Sequence, residues 1–371
     1  MAKAKPAADP PSADFGFIAW LALVTLLILV MILVGGATRL TDSGLSITEW
    51  KPLSGAVPPL SDAAWAEAFA KYRTTTEYQT QNRGMSLEAF QVIFWWEWGH
   101  RQLGRLIGLV FALGLAGFWL ARRIPKGFPV RLVVLFGLGG LQGFVGWWMV
   151  SSGLADRLDV APERLATHLS LAFILFGVMV WTLADAVTGA VRRPRPEGPW
   201  RASALMVLAL AFLQIALGAL AAGLDAGKIY VDWPLMAGGF TPPGYGEAAL
   251  VDQALNDRGA AQFHHRLGAY ALLVAVSVFW AFAERGRLPS PVLAPTRVLV
   301  VAVWLQAALG VVALMNAAPL GLSLAHQAGG AVCFAAAVLV ARACWRGYEA
   351  TAALSARETA SSAVTATAPS P

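Results

Sequence analysis

Apolar residues occur along this chain in long runs, separated by shorter segments in which Arg, Lys, Asp, Gly and Pro collect. A helix rises 1.5 Å per residue, so about 20 apolar residues cross the hydrocarbon core of a bilayer. The pattern therefore predicts an all-α integral membrane protein with eight transmembrane helices. The runs lie at about residues 15–37, 103–121, 131–151, 165–187, 203–224, 264–284, 297–315 and 322–343.

The second apolar run has a polar extension at its N-terminal end. Ser86 is a suitable N-cap for that extension, and Glu88 would lie in the first helical turn, where an acidic side chain is favourable. A helix from there to Leu120 would be roughly 50 Å long. We therefore expect this helix to project beyond the membrane.

Composition and charge agree with a membrane protein. The chain is 57% hydrophobic and 13% charged, whereas charged residues make up about a quarter of a soluble domain. The net charge of +6 comes from Lys and Arg in the short loops, which is typical of membrane topology and argues against a nucleic-acid partner. These loops place both termini in the cytoplasm and segments 38–99 and 225–262 outside.

An internal repeat divides the chain. His100-Arg101 opens span two and His265-Arg266 opens span six, while single histidines begin spans four and eight. Leu-Gln pairs followed by Gly occur in spans three and seven, although span five has one as well, so that pattern alone is weak. The repeat predicts two pseudo-symmetric four-helix bundles.

The repeat and the loop charges give a domain division. We expect a cytoplasmic N-terminal tail at 1–14, an N-terminal half at 15–190 with the long outer segment 38–99, a cytoplasmic linker at 191–201, a C-terminal half at 202–345, and a disordered cytoplasmic tail at 346–371.

Four of the five histidines occupy equivalent places in the two halves: His100, His168, His265 and His326. Two neutral imidazoles on facing helices form a natural bis-axial heme site. A zinc site is disfavoured because each half lacks the further Cys, Asp or His ligands that zinc needs. Histidines that merely hydrogen-bond between helices remain an alternative, but that role does not account for the duplication.

Other polar residues accompany the histidines. Glu97 lies three residues before His100, on the same helix face, where it could accept protons or simply pair with Arg101. Arg101 and Arg266 could bind heme propionates or extend to the membrane interface. His264 cannot face the same iron as its neighbour, because adjacent helical residues point about 100° apart, and we expect it at an interface.

The sequence resembles the heme A synthase family over about residues 15–345. The resemblance rests on GGATRLTDSGLSITEWKP after span one, EWGHR at span two, THLS at span four, QFHHR at span six and LAHQ at span eight. It implies an oxidoreductase of the inner membrane that oxidises the C8 methyl group of heme O twice, to the formyl group of heme A, for aa3-type cytochrome oxidase.

The resemblance also implies roles for individual residues. Glu97, His100 and His168 belong to the substrate-heme half, with Glu97 as the catalytic residue, and His265 and His326 are the axial ligands of a cofactor heme b. Some family members carry a cysteine pair in the first outer loop. This chain has no cysteine there and is similar to the proteobacterial and mitochondrial branch.

Partners follow from the same resemblance. We expect heme O to be delivered by heme O synthase, and electrons to pass to an acceptor that the sequence does not specify. A homo-oligomer stays open. The competing functions are a diheme b-type electron carrier that oxidises quinol and, less favoured because the repeats are parallel, a transporter.

Overall fold

The computed structural model describes residues 13–154, 157–188 and 198–346, the last without its side chain. Within them the chain is helical, and eight helices are long and apolar enough to cross a membrane. This confirms the predicted all-α membrane fold. The transmembrane helices are α1 (Phe15–Leu40), α4 (Leu87–Leu120), α5 (Pro129–Gly153), α6 (Pro162–Thr188), α7 (Trp200–Gly223), α9 (Arg258–Arg285), α10 (Ser290–Met315) and α11 (Leu320–Arg346).

The predicted start of the second transmembrane helix is confirmed. Ser86 is its N-cap and accepts a hydrogen bond from the Ala89 amide at 3.2 Å, with Glu88 in the first turn. Asp257 caps α9 in the same way, accepting from the Ala260 amide at 2.6 Å. Side-chain oxygens at these positions satisfy backbone donors that a helix leaves unpaired.

The helices pack as two groups that share an interface. α1 packs against α4 and α6, and α5 against α6; α7 and α10 pack against α9, and α10 and α7 against α11. The groups meet where α6 contacts α7 and α11, and where α1 contacts α11. At the last contact Gln327 donates to the Ile32 carbonyl at 2.7 Å and lies over Gly36, where a larger residue would not fit.

Charged clusters tie the two groups together at both ends of this interface. At one end Asp185 accepts from Arg131 and from Arg342, each at 2.8 Å. At the other end Arg39 pairs with three carboxylates, those of Asp42 at 3.0 Å, Asp159 at 3.5 Å and Asp225 at 3.1 Å.

The segment between α1 and α4, which the loop charges predict to lie outside, folds into a cap; we call residues 41–86 the outer cap. It contains α2 (Asp62–Tyr72) and α3 (Thr76–Thr80). The rings of Tyr72 and Phe69 stack on Phe90 at the start of α4, with centroids 5.3 and 5.0 Å apart. The second segment predicted to lie outside, 225–262, contains a short 3-10 helix at Ala226–Lys228 and one short α-helix, α8 (Leu250–Asn256). Most of both predicted tails and most of the 191–201 linker lie outside the described residues.

Candidate heme-binding sites

The four repeat-related histidines lie on α4, α6, α9 and α11, and each imidazole faces a glycine on a neighbouring helix. A methyl carbon added to any of these glycines would lie 3.0 Å or less from an atom of the ring, which is closer than side chains normally approach. Small residues at these points let the helix backbone approach the imidazole. The distances from the added carbon are 3.0 Å for Gly35 to His100 Nε2, 2.9 Å for Gly146 to His168 Cε1, 2.9 Å for Gly218 to His265 Cε1 and 2.8 Å for Gly310 to His326 Cε1.

His265 and His326 face each other across the C-terminal helices. Their ring centroids are 6.3 Å apart and their planes are inclined at 79°. Metal–imidazole bonds of about 2 Å on either side of one iron atom would place the two centroids roughly 6 Å apart. The separation therefore fits a bis-histidine heme iron. No group of three or more His, Cys, Asp or Glu suited to a metal ion occurs in the described part of the chain.

A glutamine lies against three of the four histidines, always four residues before the facing glycine. Gln142, Gln214 and Gln306 place their amide nitrogens 3.2, 3.0 and 3.1 Å from the Nδ1 atoms of His168, His265 and His326, respectively. Each amide nitrogen also donates to the backbone carbonyl of the same histidine, at 3.1, 3.0 and 2.7 Å.

These contacts change the interpretation of the repeat. The Leu-Gln pair in span five, which made the pattern look unspecific, supplies the glutamine partner of His265. The three Oε1 atoms of these glutamines are buried without a hydrogen-bond partner in the described structure. Unpartnered buried oxygens are costly and require an explanation.

Glu97 is buried, with 2% of its surface exposed, and both of its oxygens are engaged. Oε1 accepts from Arg101 at 2.6 Å, while Oε2 accepts from the Ser46 hydroxyl and the Ile47 amide, each at 2.7 Å. Arg101 also donates to the carbonyls of Ile47 and Glu49. The pair therefore holds the start of the outer cap against α4.

The corresponding residues of the C-terminal half make corresponding contacts. Gln262 donates to the Ala226 carbonyl at 2.8 Å, and Arg266 donates to the carbonyls of Tyr230 and Asp232, both at 3.0 Å. Both arginines thus donate to backbone carbonyls of the outer segments, Arg101 to two of them and Arg266 to four. Propionate binding by Arg101 and Arg266 stays a prediction.

His264 lies apart from the facing pair. Its Nε2 atom is 3.0 Å from the Tyr245 hydroxyl in the second outer segment. The interface position expected for His264 stays a prediction.

Glu77, in α3 of the outer cap, is a buried acid that sequence reasoning missed. Only 3% of its surface is exposed, and one carboxylate oxygen has no partner among the described residues. Burial, and to a smaller degree the nearby Asp159 and Asp42 carboxylates, raises its pKa to about 8. A polar residue in a short helix outside the spans normally indicates exposed surface, so the sequence gives no signal of this burial.

The fold and the facing histidines define a class: a multi-pass membrane protein in which His265 and His326 face each other from neighbouring transmembrane helices. A family model described as cytochrome oxidase assembly protein (COX15-CtaA) matches residues 18–338. The chain belongs to this family.

Curated relatives extend the match over most of the chain. A protein named heme A synthase from Caulobacter sp. (strain K31) is 52% identical over 328 residues, covering 88% of this chain and 94% of that protein. Proteins of the same name from Caulobacter vibrioides and Maricaulis maris are 51% and 50% identical, covering 88% and 87% of this chain and 94% of each relative.

Proposed function

We propose that this chain is an oxidoreductase that converts heme O to heme A, oxidising the C8 methyl group in two successive steps to a formyl group. The observation that carries the proposal is the match of about 50% identity, over nearly the whole chain, to relatives named heme A synthase. The product would serve an aa3-type oxidase, in agreement with the description of the family as cytochrome oxidase assembly proteins.

The second part of the proposal assigns the two pairs of histidines. His265 and His326 would hold a permanent heme b, for which their ring separation of 6.3 Å is suitable. His100 and His168 would hold the substrate heme. When bound, heme b supplies one-electron redox chemistry. The glycines facing all four rings support heme at both pairs, because they leave the imidazoles room to present a nitrogen to iron.

Differences between the two halves favour an enzyme over a diheme electron carrier. A carrier needs two equivalent hemes. Here Glu97 in one half corresponds to Gln262 in the other, and the outer cap over the first half is larger than the segment over the second. An amide cannot act as a base near neutral pH, whereas a carboxylate can.

Glu97 is proposed as the proton acceptor of the oxidation, because conversion of a methyl to a formyl group releases protons. Its carboxylate is buried beside the α4 histidine and already accepts hydrogen bonds from Arg101, Ser46 and Ile47. Proton acceptance must therefore be separated experimentally from anchoring of the cap, since either role would make Glu97 important.

The test compares three variants expressed with a source of heme O, followed by analysis of the extracted hemes. Glu97→Gln should retain heme b, accumulate heme O or a hydroxylated product and make little heme A. Gln262→Glu should still make heme A, because it leaves Glu97 unchanged. Ser46→Ala should also make heme A, because it removes one contact between the cap and Glu97 but leaves the Glu97 carboxylate in place. Near-normal heme A from Glu97→Gln would refute the assignment, and equal losses from Ser46→Ala and Glu97→Gln would identify anchoring instead.

The family match and the eight spans indicate a protein of the bacterial inner membrane. We further propose that both termini are cytoplasmic, with the histidines and the outer cap on the periplasmic side, as the loop charges favour. Heme O is itself a membrane-soluble molecule, so delivery from heme O synthase within the bilayer is part of this proposal.

A further inference from the structure

A groove of about 820 Å³ lies where the two groups of helices meet. Helices α5 and α6 of the first group and α7 and α11 of the second supply its walls, and we call it the inter-half groove. Its lining is mainly apolar and includes Ile174, Val178, Leu205, Leu208, Phe212 and Val338. Sites for small molecules usually have volumes of about 300–1,000 Å³, so the inter-half groove has room for a ligand with a long apolar part.

The inter-half groove is closed at its base and open at its side. Phe334 of α11 lies at the base, where it is buried and its ring centroid is 6.3 Å from that of Phe212. A carbon added to Gly177 would lie 2.9 Å from the Phe334 ring, so α6 approaches α11 closely here. Ile174 and Leu205, by contrast, are each 41% exposed. Because these residues belong to transmembrane helices, the open side faces the bilayer.

The length of the groove matches one leaflet of a bilayer. Along α11 the lining extends from Phe334 to Trp345, which is roughly 16 Å at 1.5 Å per residue. Half of a hydrocarbon core is about 15 Å thick. An acyl chain of one leaflet therefore fits along the groove from end to end.

One end of the inter-half groove is polar. Arg131 and Trp345 line it there, at the end of the interface where Asp185 lies. The guanidinium carbon of Arg201 is 4.0 Å from the centroid of the Trp345 ring, which places a second cation at the rim. The Nε atom of Arg201 is buried and has no hydrogen-bond partner in the described part of the chain.

Arg201 differs from the other arginines on this side of the membrane. Ion pairs with carboxylates hold Arg131, Arg297 and Arg342, but no ion pair within residues 13–154, 157–188 and 198–346 involves Arg201. A buried N–H group without an acceptor is costly, and the planar fork of a guanidinium matches the geometry of a phosphate. The apolar groove therefore leads to a cation that is suited to an anionic group.

We propose that the inter-half groove binds an acidic phospholipid, with an acyl chain along the groove and the phosphate group at Arg201. Basic pockets between transmembrane helices attract anionic headgroups, and an indole such as that of Trp345 is typical of the level at which headgroups lie. Such a lipid would contact helices of both groups and hold them together. This inference is independent of the proposed oxidation.

Two other occupants fit the groove less well. A quinone held by its polar ring at Arg201 would lie far from the histidines, because Arg201 is roughly 20 Å along α7 from Gln214, which contacts His265. A second copy of the chain, docked through the same groove about a two-fold axis, would set its own arginine rim against this one. Like charges across an interface are unfavourable.

The test is a lipid titration of the purified full-length protein, washed with detergent to remove lipid and followed by native mass spectrometry. Phosphatidylglycerol should bind about 5- to 10-fold more tightly than phosphatidylethanolamine with the same acyl chains, because the arginine favours the headgroup with a net negative charge. Arg201→Gln should abolish this preference. Arg122→Gln is the matched control and should keep it, since Arg122 is exposed after α4 on the same side of the membrane and does not line the groove.

A second pair of variants tests the groove itself. Ala209 lines the groove on α7, so Ala209→Phe should fill part of it and weaken the binding of both lipids. Ala202→Phe, on the same helix but outside the lining, should bind them as the wild type does. Both alanines are exposed, so neither substitution crowds the core. Phosphatidylglycerol should also raise the melting temperature of the wild type more than that of Ala209→Phe.

Several results would overturn the proposal. Equal affinity of the wild type for the two lipids would remove the role of charge, and equal losses in Arg201→Gln and Arg122→Gln would assign the preference to overall surface charge. Unchanged lipid binding in Ala209→Phe would place the lipid elsewhere on the molecule, and this comparison with Ala202→Phe decides if Arg201→Gln does not fold.

The competing occupants have their own signatures, and each would replace the lipid. Displacement of phosphatidylglycerol by an equal concentration of ubiquinone would identify a quinone site. A changed oligomeric state in Ala209→Phe, with unchanged lipid affinity, would identify contact with a second copy. The proposed oxidation is measured separately, by heme A in cells supplied with heme O, and its failure would leave these lipid measurements unaffected.

Discussion

Gly310→Ala tests how closely the backbone of α10 must approach His326. The added methyl carbon would lie 2.8 Å from Cε1 of the imidazole, whereas carbon atoms in contact prefer about 3.5–4.0 Å. The ring must therefore retreat by roughly 0.7 Å or more, while metal–ligand distances tolerate only about 0.2 Å. Alanine also favours a helix over glycine by about 1 kcal/mol, so the variant should still fold.

The expected cost falls on heme binding. Overpacking at such a contact costs about 1–3 kcal/mol, which corresponds to a roughly 5- to 150-fold loss of affinity for heme b. The assay is the ratio of heme b to protein after purification, together with the reduced-minus-oxidised spectrum. Gly321→Ala, on α11 of the same half, is the control, because its added carbon meets nothing within 4 Å. Wild-type heme b content and affinity in Gly310→Ala would refute the reasoning.

Three further predictions follow from the site and the cap. His326→Ala should abolish the heme b spectrum, whereas His264→Ala should keep it. Loss of the spectrum in His264→Ala with an unchanged spectrum in His326→Ala would show that the assignment of the heme b ligands is wrong. Glu77→Gln should stabilise the protein against thermal unfolding, increasingly from about pH 4.5 to 8, because burial raises the pKa of this acid to about 8 and the folded state resists its ionisation across that range; a melting-temperature difference independent of pH between 4.5 and 8 would contradict this. A reporter active only in the periplasm should stay silent when fused after Pro371, and activity there would reverse the proposed topology.

The sequence was informative where a single physical requirement dominates. Apolar runs predicted the eight spans, because a helix that crosses the hydrocarbon core needs about 20 apolar residues. Ser86 predicted the start of α4, because a side-chain oxygen at the N-cap accepts a hydrogen bond from the first helical turn. The helices α2, α3 and α8 were not predicted. They are short, and α2 packs on α4 while α8 packs on α9; such tertiary packing stabilises short helices and no local pattern reveals it.

The histidines were found because ionisable residues in a membrane are rare, while their partners were harder to recognise. Gln214 carries no charge and looked like an accidental copy of a repeat, yet it contacts His265. Gly35 lies among apolar residues of α1, and its importance appears only when His100 is placed against it. Glu97 was identified, but its bonds to Ser46 and Ile47 depend on how the cap folds back, which the sequence does not reveal.

The charged cluster at Arg39, which joins the two groups of helices at one end of their interface, carries an excess of one sign. Of its ion-paired groups three are carboxylates and two are cations, the second cation being Lys228, which pairs with Asp225 at 2.9 Å. In the proposed orientation this excess negative charge lies on the outer side. A membrane energised with its interior negative favours negative charge on that side, so the transmembrane voltage favours the orientation in which the Arg39 cluster lies outside.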